Sequence, residues 1–215
     1  MRPREYVIFR DRAEAGRALG RRLLEQGLED PVVLGLPRGG VVVAAEVADE
    51  LHAPLDVLVA RKLGVPRQPE LAFGAVAPGI VVLRDDVVVA AGITKTQIDD
   101  AATRESAKLP ELAERYRGGS APVPVRGRTA VIVDDGLATG ATATAAARSI
   151  RREEPARVIV AVPVCAAQTA TELRQEVDLV VCLGEYESFR AVGMYYEDFA
   201  SISDDEVRGL IARKP

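Results

Sequence analysis

A run of β-branched apolar residues that stops at two adjacent carboxylates leaves few folds open to a chain. Thr129 to Val133 (TAVIV) is such a run. Its unbroken apolar character fits a strand buried on both faces, as in a parallel sheet. Asp134 and Asp135 end it, and then come Gly136, Ala138, Thr139, Gly140, Ala141 and Thr142, followed by an Ala-rich segment that reads as helix. The amides of such a loop and the positive end of the helix dipole suit a phosphate. The carboxylates, one turn away, suit sugar hydroxyls or a divalent cation. A ligand with a phosphate at one end and a ribose diol behind it fits both halves.

Other acidic strand ends compete with this reading. A Walker B strand would need G-x-x-x-x-G-K-[ST], which the chain lacks. The acidic pocket of a response-regulator receiver belongs to a first strand, and this one comes late. The single histidine, His52, lies at a helix end beside Ala53-Pro54, where a cation near the last carbonyls suffices to explain it. Zinc sites of the H-E-x-x-H type are excluded, and no G-x-S-x-G elbow supports a Ser–His–Asp hydrolase. Catalysis must run on carboxylates, Lys/Arg and backbone. Cys165 and Cys182 sit in apolar strand-like runs and read as buried free thiols of a reducing compartment.

The 215 residues predict one domain with a large core. A net charge of −4 and a pI near 5.3 argue against nucleic acid or a membrane surface as partner. No apolar run reaches the length of a span, and MRPREYVIFRDR has no signal-peptide core, so a cytoplasmic location is expected.

Along the chain, Asp11 with Glu14 predicts a capping box for a helix that turns Ala15, Leu19, Leu23 and Leu24 inward. A strand over Val32 to Leu36 leads into Pro37-Arg38-Gly39-Gly40 and a helix with Val42, Ala45, Ala48 and Leu51 on its apolar face. Asp56 to Ala60 reads as the second strand, with Arg61-Lys62 directly behind it. Strands alternating with helices at this spacing predict a doubly wound, mostly parallel α/β sheet. Residues 63–84, rich in Gly and Pro, break the rhythm as an antiparallel excursion. Thr94 with Gln97 opens a long charged helix toward Arg117 that Pro110 should divide. Later strands are expected over Val158 to Val164 and Asp178 to Leu183, with helices over Thr142 to Arg151 and Ala167 to Glu176. The tail, 184–215, holds Tyr186, Phe189, Tyr195, Tyr196 and Phe199, and Asp204 to Glu206 should start its helix.

The stretch VIVDDGLATGAT, residues 131–142, resembles the 5-phosphoribosyl-1-pyrophosphate (PRPP) motif of the type I phosphoribosyltransferases. There a hydrophobic strand precedes two acidic residues and a Thr-Gly-x-Thr loop. The resemblance covers residues 32 to 183, and implies a core over about 30–183 and a hood over about 184–215 with the N-terminal segment. It implies that Asp134 and Asp135 hold the ribose hydroxyls and, through them or through water, Mg²⁺. Gly136 and Ala138 would line the site, and Thr139, Gly140, Ala141 and Thr142 would hold the 5′-phosphate. The loop Arg38-Gly39-Gly40 would bind pyrophosphate, in this family often through a non-proline cis peptide. Arg61 and Lys62 resemble an Arg-Lys pair that adenine-type members carry beside pyrophosphate. The family's mobile loop would contribute Arg67, Gln68 and Glu70, with Glu70 as a proton acceptor. An aromatic ring of the hood, assigned to Phe189, would stack on the acceptor. Hypoxanthine–guanine members carry an aspartate three residues beyond the acidic pair; Ala138 stands in its place.

The implied activity is Mg²⁺-dependent transfer of the phosphoribosyl group from PRPP to a small-molecule nitrogen acceptor. A homodimer is compatible with it. A PRPP-sensing regulator on the same fold and a flavodoxin-like binding module are the alternatives. The acidic pI weighs against the first, and the acidic pair is unexplained by the second.

Overall fold

The computed structural model describes residues 9–66 and 68–213. The chain runs α1 Arg12–Leu24, β1 Pro31–Gly35, α2 Gly39–Leu51, β2 Leu55–Val57, β3 Arg61–Val65, β4 Gln68–Ala77 and β5 Ile80–Leu83. It continues through α3 Asp85–Ala90, α4 Lys95–Ser106, α5 Leu109–Arg117, β6 Thr129–Val133, α6 Ala141–Arg151, β7 Arg157–Ala166, α7 Ala167–Leu173 and β8 Leu179–Tyr186. A 3₁₀ turn, Val192–Tyr195, and α8, Asp204–Ile211, complete it.

Five strands form a parallel sheet in the order β2-β1-β6-β7-β8. Alternate residues of each strand leave opposite faces, and both faces are covered. Val33, Val131, Val133 and Ile159 pack under α1 and α2 through Leu19, Leu23, Val43 and Val47. Val32, Ile132 and Val160 pack under α6 and α7 through Ala143, Ala146, Ile150 and Leu173. Each such aliphatic side chain contributes about 1.5–3 kcal/mol by leaving water. This is the doubly wound arrangement expected from the alternating pattern.

The excursion forms a separate antiparallel sheet, β3-β4-β5, whose inner face packs with α4, α5 and α8 around Leu63, Phe73, Val76 and Tyr116. Helix α6 touches both sheets: its other flank sets Ala141 and Ala145 against Ala75 and Ala77. Thr94 and Gln97 build the capping box of α4. Pro110 sits in the first turn of a separate helix, α5, where a missing N–H costs nothing. The short helix α3 was not anticipated.

Three local expectations need correction. The Asp11 carboxylate does accept from Glu14 N, at 2.7 Å. The Glu14 carboxylate, however, reaches past the cap to Arg10 N, at 2.6 Å, so the reciprocal half of the box is missing. Leu24 is 51% exposed rather than buried. In α2 the buried set is Val41, Val43, Ala44, Ala45, Val47 and Ala48, while Val42 and Leu51 are only half-buried. That helix is enclosed on more than one side, by the sheet and α1 and by the α8 side, so a one-stripe pattern does not describe it.

Candidate active site

The carboxyl ends of β1 and β6 lie side by side, with Gly35 opposite Val133. The loops that follow are therefore neighbours, at the edge where open α/β sheets bind ligands. Leu36 N donates to Val133 O at 2.9 Å and ties the loops together. The Pro37–Arg38 peptide is cis. Gly39 passes so close to the acidic pair that a Cβ there would meet Asp135 Oδ2 at 2.0 Å. A side chain at 39 would force the Asp135 carboxylate out of its present position against Arg12.

These loops border a cleft of about 630 Å³ that opens between the two sheets. Arg38, Gly39, Arg61 and Lys62 line one side of it. Asp134, Asp135, Gly136 and Ala138 line the floor, and Thr139, Gly140 and Thr142 the end nearest α6. Gly40 lies behind Asp134 in the first turn of α2. Ala141 is buried against the small sheet and borders an adjoining hollow instead. Arg67 and the side chain of Glu70 fall outside the described residues.

The phosphate-type loop is fixed from β7 and α7. Leu137 N donates to Val164 O at 3.0 Å and Ala166 N to Leu137 O at 2.9 Å, making a one-residue bridge. Thr169 Oγ1 donates to Ala138 O at 2.7 Å. Gly140, at φ +69°, adopts the left-handed conformation that a non-glycine residue enters reluctantly, and it starts α6. The first-turn amides of α6 have no partner within the helix and lie at the positive end of its dipole. That end can receive an anion.

The acidic pair is strongly perturbed. Burial pushes the Asp134 carboxyl well above the ordinary carboxylate range, and the neighbouring Asp135 charge adds to the effect. Burial also raises Asp135, opposed by the hydrogen bond and charge of Arg12. Arg12 Nε donates to Asp135 Oδ2 at 2.8 Å, and Tyr196 Oη donates to the Asp135 carbonyl at 2.6 Å. Asp134 Oδ1 accepts from Asp135 N at 2.9 Å. A ligand bringing hydroxyl donors or positive charge would relieve the pair.

The basic pair divides. Lys62 is exposed at the cleft and its charge favours ionisation of both aspartates. Arg61 lines the cleft while its Nε donates to Glu105 on α4 at 2.7 Å. Both open β3, because β2 ends early at Val57.

The ring assigned to the hood from the resemblance, Phe189, is not among the residues that border the cleft. It stacks on Tyr195, with centroids 5.0 Å apart. Phe199 and Val192 border the cleft instead. Sequence reasoning also passed over Arg12 and Glu105, which carry no local motif. Cys165 and Cys182 are free thiols whose sulfurs lie 2.9 Å apart across β7 and β8, and that contact, with burial, pushes the Cys165 thiol far up.

Among the described residues no cluster of three or more His, Cys, Asp or Glu could cage a metal. Two carboxylates, one of them shared with an arginine, suit a Mg²⁺ ion that keeps several waters and leans on substrate oxygens. No helix among the described residues is long and apolar enough to cross a membrane.

A family model for the phosphoribosyl transferase domain matches residues 10–197. A Mycobacterium tuberculosis H37Rv protein, Rv0571c, provisionally named a phosphoribosyl transferase, is 48% identical over 207 residues. The match takes in 96% of this chain and 47% of that protein, so the chain spans about half the length of the curated relative. The structure of TT1426 from Thermus thermophilus superposes with a TM-score of 0.79 at 43% identity, covering 95% of this chain and 97% of the other. A purine phosphoribosyltransferase from Pyrococcus horikoshii shares the fold, with a TM-score of 0.50 at 15% identity over 91% of this chain and 97% of its own.

Proposed function

The chain belongs to the phosphoribosyl transferase domain family, and from that premise we propose that it moves the 5-phosphoribosyl group of PRPP onto a nitrogen nucleophile, a nucleobase, with release of pyrophosphate. One observation carries the reading: a half-buried aspartate pair shares one cleft with the Gly140-capped start of α6 and with Arg38, Arg61 and Lys62. Phosphate, ribose and pyrophosphate occur in that order along PRPP.

The 5′-phosphate lies against Thr139, Gly140 and Thr142, with the adjoining Ala141 amide pointing from the helix start. Asp134 and Asp135 accept from the ribose 2′- and 3′-hydroxyls. The acceptor nitrogen donates its lone pair to C1, the bond from C1 to the pyrophosphate oxygen breaks, and that electron pair leaves with pyrophosphate. Positive charge builds on the ring as the bond lengthens, and the aspartates oppose it. Negative charge builds on the leaving group, and Arg38, Arg61 and Lys62 oppose that. Preorganised charge of this kind is usually the largest catalytic contribution. Asp134 and Asp135 would hold Mg²⁺, which would supply further charge neutralisation when bound. The acceptor proton passes to solvent or to Glu70.

Ala138 borders the cleft. Its methyl group cannot take a proton, so acceptors that need a base at that point are disfavoured. The experiment incubates the protein with PRPP, Mg²⁺ and a panel of purines, pyrimidines and amines, reading products by mass. One base should yield its ribonucleoside 5′-monophosphate. Hypoxanthine and guanine should lie at least about tenfold below it in kcat/KM, since a missing general base is commonly worth about a hundredfold. Asp134→Asn with Asp135→Asn should abolish PRPP binding. Unchanged affinity in that double variant would overturn the assignment, and PRPP binding without any product would make the protein a sensor.

A further inference from the structure

Arg12 is 8% exposed, yet it opens α1, far in sequence from every motif of the cleft. Its guanidinium makes three contacts at once. Nε donates to Asp135 Oδ2 at 2.8 Å, Nη1 donates to the Ala200 carbonyl at 2.9 Å, and Cζ stands 3.7 Å from the centroid of the Phe199 ring. Asp135 and Phe199 both border the cleft, one on the floor and one on the hood. The segment after the 3₁₀ turn is laced to the residues just before α1: Glu197 N donates to Phe9 O and Asp198 N to Arg10 O, both at 2.8 Å. The planar guanidinium can satisfy a carboxylate at its edge and a ring on its face together, which a lysine cannot.

We propose that Arg12 is a positioning residue that sets the Asp135 carboxylate and the Phe199 ring in register, so that the sugar-side and acceptor-side walls of the cleft are fixed by one side chain. The inference rests on Asp135 taking a ribose hydroxyl, as proposed above.

The test compares Arg12→Lys, which keeps a cation for Asp135 but has no planar face, with Arg12→Met, which has neither. Each is made in the full chain and again with Phe199→Trp, which introduces the sole tryptophan. Acrylamide quenching of that tryptophan, without ligand, reports how firmly the ring is held; calorimetry with PRPP and Mg²⁺ on the Phe199 chains reports the sugar side. Quenching should rise at least threefold in both variants. The PRPP dissociation constant should rise at least tenfold in Arg12→Met and stay within threefold of wild type in Arg12→Lys. Unchanged quenching in both would overturn the proposal, as would equal loss of PRPP affinity in both, which marks general damage. If wild-type protein ignored PRPP, the proposed function would fall, and with it the coupling claimed for Arg12; the quenching result alone would then keep or remove its hold on the ring.

Discussion

Arg61 and Lys62 are neighbours in sequence with opposite situations. Arg61 is committed to Glu105, while Lys62 forms no ion pair among the described residues and faces the cleft. Lys62→Ala should therefore lower kcat by about a hundredfold, on the order of 3 kcal/mol of lost transition-state stabilisation, and leave the urea midpoint unchanged. Arg61→Ala should lower kcat less and shift the midpoint down, because it also unpins α4. Steady-state kinetics beside urea denaturation separates the two, and a loss confined to PRPP affinity in Lys62→Ala would make that lysine a ground-state anchor. The sequence shows both residues as one basic pair, since nothing local reveals a carboxylate on a helix 44 positions later. Arg12 was illegible for the same reason, with its partner 123 positions away. The tail aromatics announced a cluster but not which ring borders the cleft, because five rings on one short segment pack largely on each other.

At the scale of elements, α4 is held to β3 by one carboxylate among three cations. Arg61, Lys108 and Arg104 all approach Glu105, the first two at 2.7 and 2.8 Å. Burial opposes ionisation of Glu105, but the hydrogen bonds and charges of Lys108 and Arg61 outweigh it and hold the carboxyl at about 2, against an ordinary 4.5. The folded form thus favours the carboxylate. Its stabilisation is fully present above the unfolded value and fades as pH falls from about 5 toward 2. Glu105→Gln should cost on the order of 1–2 kcal/mol at pH 7, allowing for screening of the half-exposed cations. The deficit should shrink through that acid window. Chemical denaturation at several pH values checks this, and a deficit independent of pH would remove the ion cluster as its cause. Elements whose signals are local were the legible ones: β6, its loop and α6 lie within 23 consecutive residues, and the capping box of α4 within four. The apolar face of α2 was not, because periodicity assumes one buried side and this helix has more than one.

Over the whole molecule, α6 packs on both sheets. The Ala-rich sequence of α6 lets it lie close to both, with Ala145 fully buried against the small sheet and Ala146 against the large one. Ala145→Leu should overpack that seam, cost about 1–3 kcal/mol and weaken PRPP binding by spreading the cleft, as thermal unfolding and calorimetry would show. Destabilisation with full affinity would mean that the seam does not set the cleft's width. The ties between the N-terminal helix and the hood have a different consequence, in the order of synthesis. Arg12 leaves the ribosome before Asp135, and Asp135 before Phe199, with roughly ten to forty seconds from first to last at ordinary elongation rates. Until Asp135 emerges, α1 can dock on α2 but the guanidinium lacks the carboxylate it pairs with. A nascent chain halted between these points would carry the phosphate loop and the acidic pair without the ring that walls them in. Until Phe199 follows, the cleft has its acidic residues but not the ring at its border, so its wall is completed only after its floor.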